Sequence, residues 1–146
     1  MLTAACLILL GLLAGTEFAV RWGVQPVLSS LDDRAHLRAR IGLVKRLKVI
    51  VPAVIVPSVA VTVAHFAVAF GDPGAPARWA GLTSLAAFLL VAAFGTIPIN
   101  MRVDGWDPDH PPADWRAQVR RWVDLDVYRS SAAVLAFVLF TLAAVR

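Results

Sequence analysis

The chain is poor in cysteine and in charge. One of its 146 residues is a cysteine, Cys6, so an internal disulfide and any C-x-x-C redox or zinc motif are excluded. Charged residues make up 16% of the chain, whereas a soluble domain usually carries about a quarter. Hydrophobic residues reach 59%, and the mean hydropathy is +0.72. This composition is typical of an integral membrane protein.

The sequence contains long runs of apolar residues. A membrane-spanning helix needs about 20 apolar residues. The runs predict spans at about residues 2–22, 49–70, 79–99 and 126–145, with an amphipathic helix from about residue 112 leading into the last. The first run has no basic segment before it and no cleavage site after it, so we interpret it as a retained helix. The sequence therefore predicts an all-α fold with one domain, an integral membrane four-helix bundle.

Positive charge is concentrated in two places. The net charge is +4, and Lys and Arg gather in the first and third connections between the spans. No nucleic-acid-binding motif accompanies them, and basic residues are retained on the cytoplasmic side of membrane proteins. We therefore expect the lipid bilayer as a partner and no nucleic acid. The same rule predicts a multi-pass protein of the cell membrane with both termini outside.

The loop after the third span contains Asp104, Asp107, Asp109 and His110. Carboxylates beside a histidine can bind a metal, but this spacing matches neither an EF-hand nor a zinc site. Turn formation and helix capping explain these residues equally well. His65 in the second span has no second axial ligand at the same depth. We therefore predict no metal and no cofactor.

Polar residues accumulate where the third span ends and the fourth begins. The spacing of Trp115, Trp122, Asp126 and Arg129 places them on one face of a helix. The predicted topology puts three more polar residues into the same cytoplasmic half of the bundle: Glu17, Arg21 and Asn100. A bundle with polar groups clustered at one end can form a binding or catalytic site.

These residues also have purely structural interpretations. An ionisable residue within a span is a functional candidate, but Glu17 can also pair with Arg21 one helical turn later. Asp126 can likewise pair with Arg129. The tryptophans can form the walls of an aromatic slot, or they can anchor the protein at the membrane interface. Both interpretations stay open for the carboxylates and for the tryptophans.

The order of motifs resembles the anthrone oxygenase-like family, a group of small four-span membrane proteins that is largely a domain of unknown function. The resemblance covers nearly the whole chain. It is carried by P-I-N, W-D-P, P-P-x-D-W and R-W, followed by an arginine that opens an apolar helix. The specific positions are Pro98, Asn100, Trp115, Trp122 and Arg129. One departure is Asp126, where such proteins often have histidine or asparagine three residues before the arginine.

The resemblance implies oxidation of a planar aromatic carbon acid, an anthrone, to a quinone by O2 without a cofactor. Such a reaction needs a base, donors for an oxyanion and a dry aromatic slot. For this reaction the expected catalytic residues are Glu17 or Asp126 as the base, and Asn100 and Arg129 as the groups that stabilise the oxyanion. Arg21, Trp115 and Trp122 are expected to bind the substrate, a hydrophobic small molecule.

Two other functions remain open on the sequence. The protein can bind a lipid, a quinone or haem without turnover, or it can be a structural membrane subunit in which the polar cluster only holds helices together. An oligomer is compatible with either. Purified protein separates these alternatives, because a haem protein shows a Soret band and an oxygenase consumes O2 when anthrone is added.

Overall fold

The computed structural model describes residues 1–71 and 74–145, and all regular structure in them is helical. In chain order the helices are α1 (Leu2–Ala19), α2 (Gln25–Ser30), α3 (Asp33–Val68), α4 (Ala75–Val91), α5 (Ile97–Asp104) and α6 (Trp115–Ala144). A wide π-helical turn joins α1 to α2 at Val20–Val24, and another joins α4 to α5 at Ala92–Thr96. The predicted all-α fold class is confirmed.

These segments form four long helices, each apolar enough to cross a membrane. They run over Leu2–Ser30, Asp33–Val68, Ala75–Asp104 and Trp115–Ala144. The N-terminus, the end of α3, the start of α4 and the end of α6 meet at one end of the bundle, here called the terminal end. The other end, which holds the α2–α3 and α5–α6 connections, is called the loop end. The chain is a multi-pass membrane protein.

The polar segment between the first two predicted spans is largely helical, although the sequence analysis treats it as a connection. Asp32 begins α3 by accepting a hydrogen bond from the Ala35 N–H at 3.0 Å. From there α3 continues for 36 residues, through Pro52 and Pro57. The Leu, Ala, Arg and Lys residues that fill its first half are strong helix formers. The amphipathic start of the fourth span is likewise one helix with the span, beginning at Trp115.

Close helix packing at the terminal end depends on small residues. A Cβ added at Gly81 in α4 would lie 2.7 Å from the Phe140 ring in α6, and one added at Gly11 would lie 3.2 Å from Phe137. Around these contacts lies the main apolar core, formed by Cys6, Leu10, Leu13, Leu85, Phe88, Ala133, Ala136 and Phe140. This half of the bundle is therefore held together mainly by a packed apolar core.

At the loop end the first half of α3 packs against α5 and the start of α6. Ile41 contacts Ile99, Val103 and Trp122, and Leu37 forms a second cluster with Trp115 and Val119. Ion pairs tie the surface of this end together, including Lys48 with Asp104 at 2.9 Å and Arg116 with Asp33. The long α3 thus closes one side of the polar half of the bundle.

Candidate functional site

The two wide turns lie opposite each other and share a local sequence. The first contains Trp22-Gly23 and is followed by Pro26; the second contains Phe94-Gly95 and is followed by Pro98. Each proline lacks an N–H and would clash with the carbonyl four residues earlier, which is that of the aromatic residue. A wide turn relieves this conflict. Such turns are frequent at functional sites.

A cavity of about 250 Å³ lies between these turns and α3. Its walls are mainly aliphatic, and the side chains that form them are Val20, Val24, Leu28, Leu43, Val44, Leu47, Val51, Ile55, Ala92, Ile97 and Met101. Its polar lining consists of Thr16, Glu17, Gln25, Arg40, Lys48, Asn100, Asp104, Trp122 and Arg129. An apolar pocket with a few convergent polar groups is the usual form of a small-molecule site.

A buried ion triad forms one polar edge of the cavity. One nitrogen of Arg129, Nη2, lies 2.9 Å from Glu17 Oε2 and 2.9 Å from Asp126 Oδ1. Glu17 and Asp126 are 2% and 1% exposed, so both carboxylates are removed from water. The other terminal nitrogen, Nη1, donates to the Thr96 hydroxyl at 3.5 Å. The triad joins α1, the second wide turn and α6 at the depth of the cavity.

A second arginine approaches from α3. Arg40 is 4% exposed and donates from Nη2 to Gln25 Oε1 at 2.9 Å and from Nε to His36 Nε2 at 3.0 Å. The guanidinium carbons of Arg40 and Arg129 each lie 5.4 Å from the centre of the Trp122 ring. This distance is within the range of a cation–π contact. Trp122 therefore links the two cations across the site.

Of the seven residues predicted for the site, the structure places four on the cavity: Glu17, Asn100, Trp122 and Arg129. Asp126 lies behind Arg129 and does not line the cavity. The remaining two residues lie outside it. Arg21 stacks on the Trp22 ring at 5.2 Å, and Trp115 packs against His36 with ring centres 5.7 Å apart.

The structure distinguishes the interpretations left open by the sequence. Glu17 pairs with Arg129, on a different helix, and not with the neighbouring Arg21. Asp126 and Arg129 do pair. Trp115 and Trp122 are 7% and 6% exposed, so they face the protein interior. The tryptophans that suit membrane anchoring are Trp22 and Trp79, which are 61% and 50% exposed.

Arg40, Gln25 and Thr96 are site residues that the sequence reasoning missed. Arg40 lies among the basic residues of the predicted polar connection, two residues after Arg38, which is exposed. Its signal was the apolar period of Leu37, Arg40 and Ile41, which all lie on the buried face of α3. For Thr96 the available signal was the repeated aromatic-Gly-x-x-Pro pattern.

The acidic loop between α5 and α6 is a surface turn. His110 and Asp107 interact at 3.1 Å, and Asp109 forms an ion pair with Arg34 at 2.5 Å. The Asp109 N–H donates to Asp107 Oδ1 at 2.9 Å, and this bond, with help from His110, lowers the pKa of the Asp107 carboxyl. Over residues 1–71 and 74–145, no group of three His, Cys, Asp or Glu side chains could hold a metal ion.

Comparison with known proteins gives one match. The family model described as anthrone oxygenase matches residues 43–139, about two thirds of the chain. No curated protein and no solved structure matches the chain. The matched region contains Asn100, Trp122, Asp126 and Arg129, whereas Glu17 and Arg40 precede it. Because the match covers more than half of the chain, this protein belongs to the anthrone oxygenase family.

Proposed function

We propose that the protein is an oxidoreductase that converts a planar aromatic carbon acid, such as an anthrone, to a quinone with O2 and without a cofactor. The observation that carries this proposal is the placement of a carboxylate, Glu17, and a guanidinium, Arg129, at the edge of an apolar cavity. The chain's membership of the family supports it independently. The substrate is a hydrophobic small molecule that enters from the bilayer.

In this mechanism Glu17 is the base. It removes one proton from the CH2 carbon opposite the carbonyl of the anthrone, which leaves a delocalised anion whose charge resides largely on the carbonyl oxygen. The anion reduces O2, and a C–O bond forms at the same carbon to give a peroxide anion. Glu17 returns its proton to the outer oxygen of this peroxide. Cleavage of the O–O bond, with loss of the second C–H proton from the same carbon, then releases water and leaves the second carbonyl, so that anthrone and O2 give anthraquinone and H2O.

The other residues have supporting roles in this proposal. Arg129 pairs with Glu17 and orients it, and Asp126 holds Arg129 in turn, each at 2.9 Å. The Asn100 amide lines the same cavity and can donate to the substrate oxygen. Trp122 forms a flat wall. Trp115 and Arg21, outside the cavity, contribute to packing and to the protein surface.

The test is O2 uptake by purified protein in detergent after anthrone is added. Wild type is expected to consume O2 and to form anthraquinone in equal amounts. Glu17→Gln keeps the shape but cannot take the proton, so the rate should fall about 10²–10⁴-fold. Asp33→Asn, at an exposed carboxylate of the same loop end, is the matched control and should leave the rate unchanged.

The second candidate is a protein that binds a quinone or a lipid without turnover. The observation in its favour is the aliphatic character of the cavity walls, which suits an alkyl chain as well as an aromatic ring. Anthraquinone or a lipid that raises the thermal stability of the protein, without O2 uptake on any anthrone, would favour binding alone. If no ligand changes the thermal stability, the protein is better explained as a structural membrane subunit.

A further inference from the structure

The two buried arginines of the site differ in how their charges are compensated. Arg129 meets two carboxylates at 2.9 Å. Arg40 is held by Gln25 and His36, which are neutral acceptors in this arrangement because His36 Nε2 accepts the hydrogen bond from Arg40 Nε. Asp126 attracts Arg40 only at longer range. Among residues 1–71 and 74–145, no carboxylate is in direct contact with the buried Arg40 cation.

Burial of such a cation is costly unless a counter-charge approaches it. The guanidinium has more N–H donors than its bonds to Gln25 and His36 use, and Arg40 is part of the cavity lining. The other charged groups on the cavity are Glu17, Arg129 and the Lys48–Asp104 pair, and Asp126 attracts Arg40 from outside the lining. An anionic oxygen of a ligand in the cavity would complete the environment of Arg40.

We propose that Arg40 binds the oxygen that becomes anionic in the ligand, so that the cavity selects planar apolar molecules with an acidic hydroxyl or an enolisable carbonyl. This inference rests on the proposed function and names the residue that stabilises the anionic oxygen of the ligand. Arg129 is less suited to that role, because its guanidinium already serves Glu17 and Asp126.

The charge balance of the site agrees with this assignment. Two guanidiniums and two carboxylates, those of Arg40, Arg129, Glu17 and Asp126, leave the cluster neutral. A ligand therefore enters as a neutral acid. When its proton moves to Glu17, the cluster gains no net charge, since one negative charge is lost from Glu17 and one appears on the ligand oxygen beside Arg40. Only the position of the charge changes.

The experiment compares two probes that do not turn over, 2-hydroxyanthraquinone and anthraquinone, in detergent-solubilised protein. They differ by one acidic hydroxyl, whose ionisation changes the absorption spectrum. Wild type should bind the hydroxylated probe as its anion, at a pH below the pKa of the free probe, because a nearby cation favours ionisation. Arg40→Gln should weaken binding of this probe about tenfold or more, since a charge-assisted hydrogen bond is lost.

Anthraquinone serves as the internal control, and its affinity should be nearly the same in wild type and Arg40→Gln. Arg46→Gln removes the same charge from an exposed position on α3 and should change neither affinity. Arg40→Lys keeps the charge and should retain part of the spectral shift even if Arg40→Gln fails to fold.

In the binding experiment, three outcomes would overturn the inference: equal weakening of both probes by Arg40→Gln, an unshifted spectrum of the hydroxylated probe in wild type, or binding of neither probe. The outcome for the proposed function is separate, because it is measured by O2 uptake. Arg40-dependent binding of the anion without O2 uptake would retain this inference and reject the oxygenase. O2 uptake that is unaffected in Arg40→Gln would retain the oxygenase and reject this inference.

Discussion

Arg129 connects two carboxylates through a single nitrogen, and this shapes the energetics of the site. Coulomb attraction is strong away from water, but removing three charged groups from water is costly, so the net contribution of a buried triad to stability is small. Removing one member is a different matter, because it leaves a buried charge without a partner. The effect of substituting Arg129 therefore depends on whether Glu17 and Asp126 keep their charges.

Arg129→Gln should destabilise the protein by about 3–5 kcal/mol, because two buried carboxylates, Glu17 and Asp126, lose their cation. Adding Asp126→Asn should restore part of the loss, and adding Glu17→Gln as well should restore most of it. Thermal unfolding in detergent measures each variant. Arg116→Gln, at an exposed ion pair, is the control and should change stability by less than about 1 kcal/mol.

If the double and triple variants are no more stable than Arg129→Gln alone, the triad is not the unit that determines stability here. The series also separates structure from function. A triple variant that folds like wild type but shows neither O2 uptake nor binding of the probes would place these residues in the function of the site. Full activity in the triple variant would remove Glu17 and Arg129 from the proposed mechanism.

At the scale of helices, the contacts of α4 with α6 and of α1 with α6 depend on close approach at glycines. A Cβ added at Gly81 or at Gly11 would meet an aromatic ring, whereas a Cβ added at Gly15 would meet nothing within 4 Å. Gly11 and Gly15 form a G-x-x-x-G pattern in the first span. Of these two glycines, only Gly11 therefore takes part in packing within the chain. Without a hydrophobic driving force in lipid, such tight packing contributes much of the association between helices.

Gly81→Leu should destabilise the bundle most, since its side chain would overlap the Phe140 ring and force α4 away from α6. Gly11→Leu should have a smaller effect because the Phe137 ring has room to move. Gly15→Leu, the matched control, should leave the melting temperature in detergent unchanged. Overpacking typically costs about 1–3 kcal/mol. An unchanged melting temperature in Gly81→Leu would show that the α4–α6 contact is looser than the structure indicates.

The sequence predicted the helices in the membrane well and the helices beyond it poorly. Each span has an apolar run that hydropathy detects, but the first half of α3 is polar, and its buried residues are His36, Leu37, Arg40 and Ile41. The Glu17–Arg129 pair joins residues far apart in sequence, and no local pattern specifies which cation meets which carboxylate. Local spacing instead pointed to Arg21 as the partner of Glu17, because the two residues lie one helical turn apart. The motif residues of the fourth helix, by contrast, share one face and were located correctly on it.

At the scale of the whole molecule, polarity divides the bundle along its length. The terminal end has a packed apolar core around Phe88 and Phe140, with buried His65 and Arg78 beside it, and the loop end holds the cavity, the ion triad and Arg40. The basic residues of the first and third connections surround this polar half, among them Arg34, Arg38 and Arg116. A substrate that dissolves in lipid therefore meets the polar groups at one depth of the membrane.

The orientation of the bundle follows from that division, and we propose that the loop end is cytoplasmic and both termini face outside. Lys and Arg resist translocation, and they are concentrated at the loop end. With buried Cys6 replaced by alanine, a cysteine at exposed Ala117 should react with a membrane-impermeant maleimide only after the cells are opened. A cysteine at exposed Val145 should react in intact cells. Denatured protein provides the reference for full labelling of each variant. Labelling of Ala117→Cys from outside, with Val145→Cys protected, would reverse the orientation and place the cavity in the outer half of the membrane.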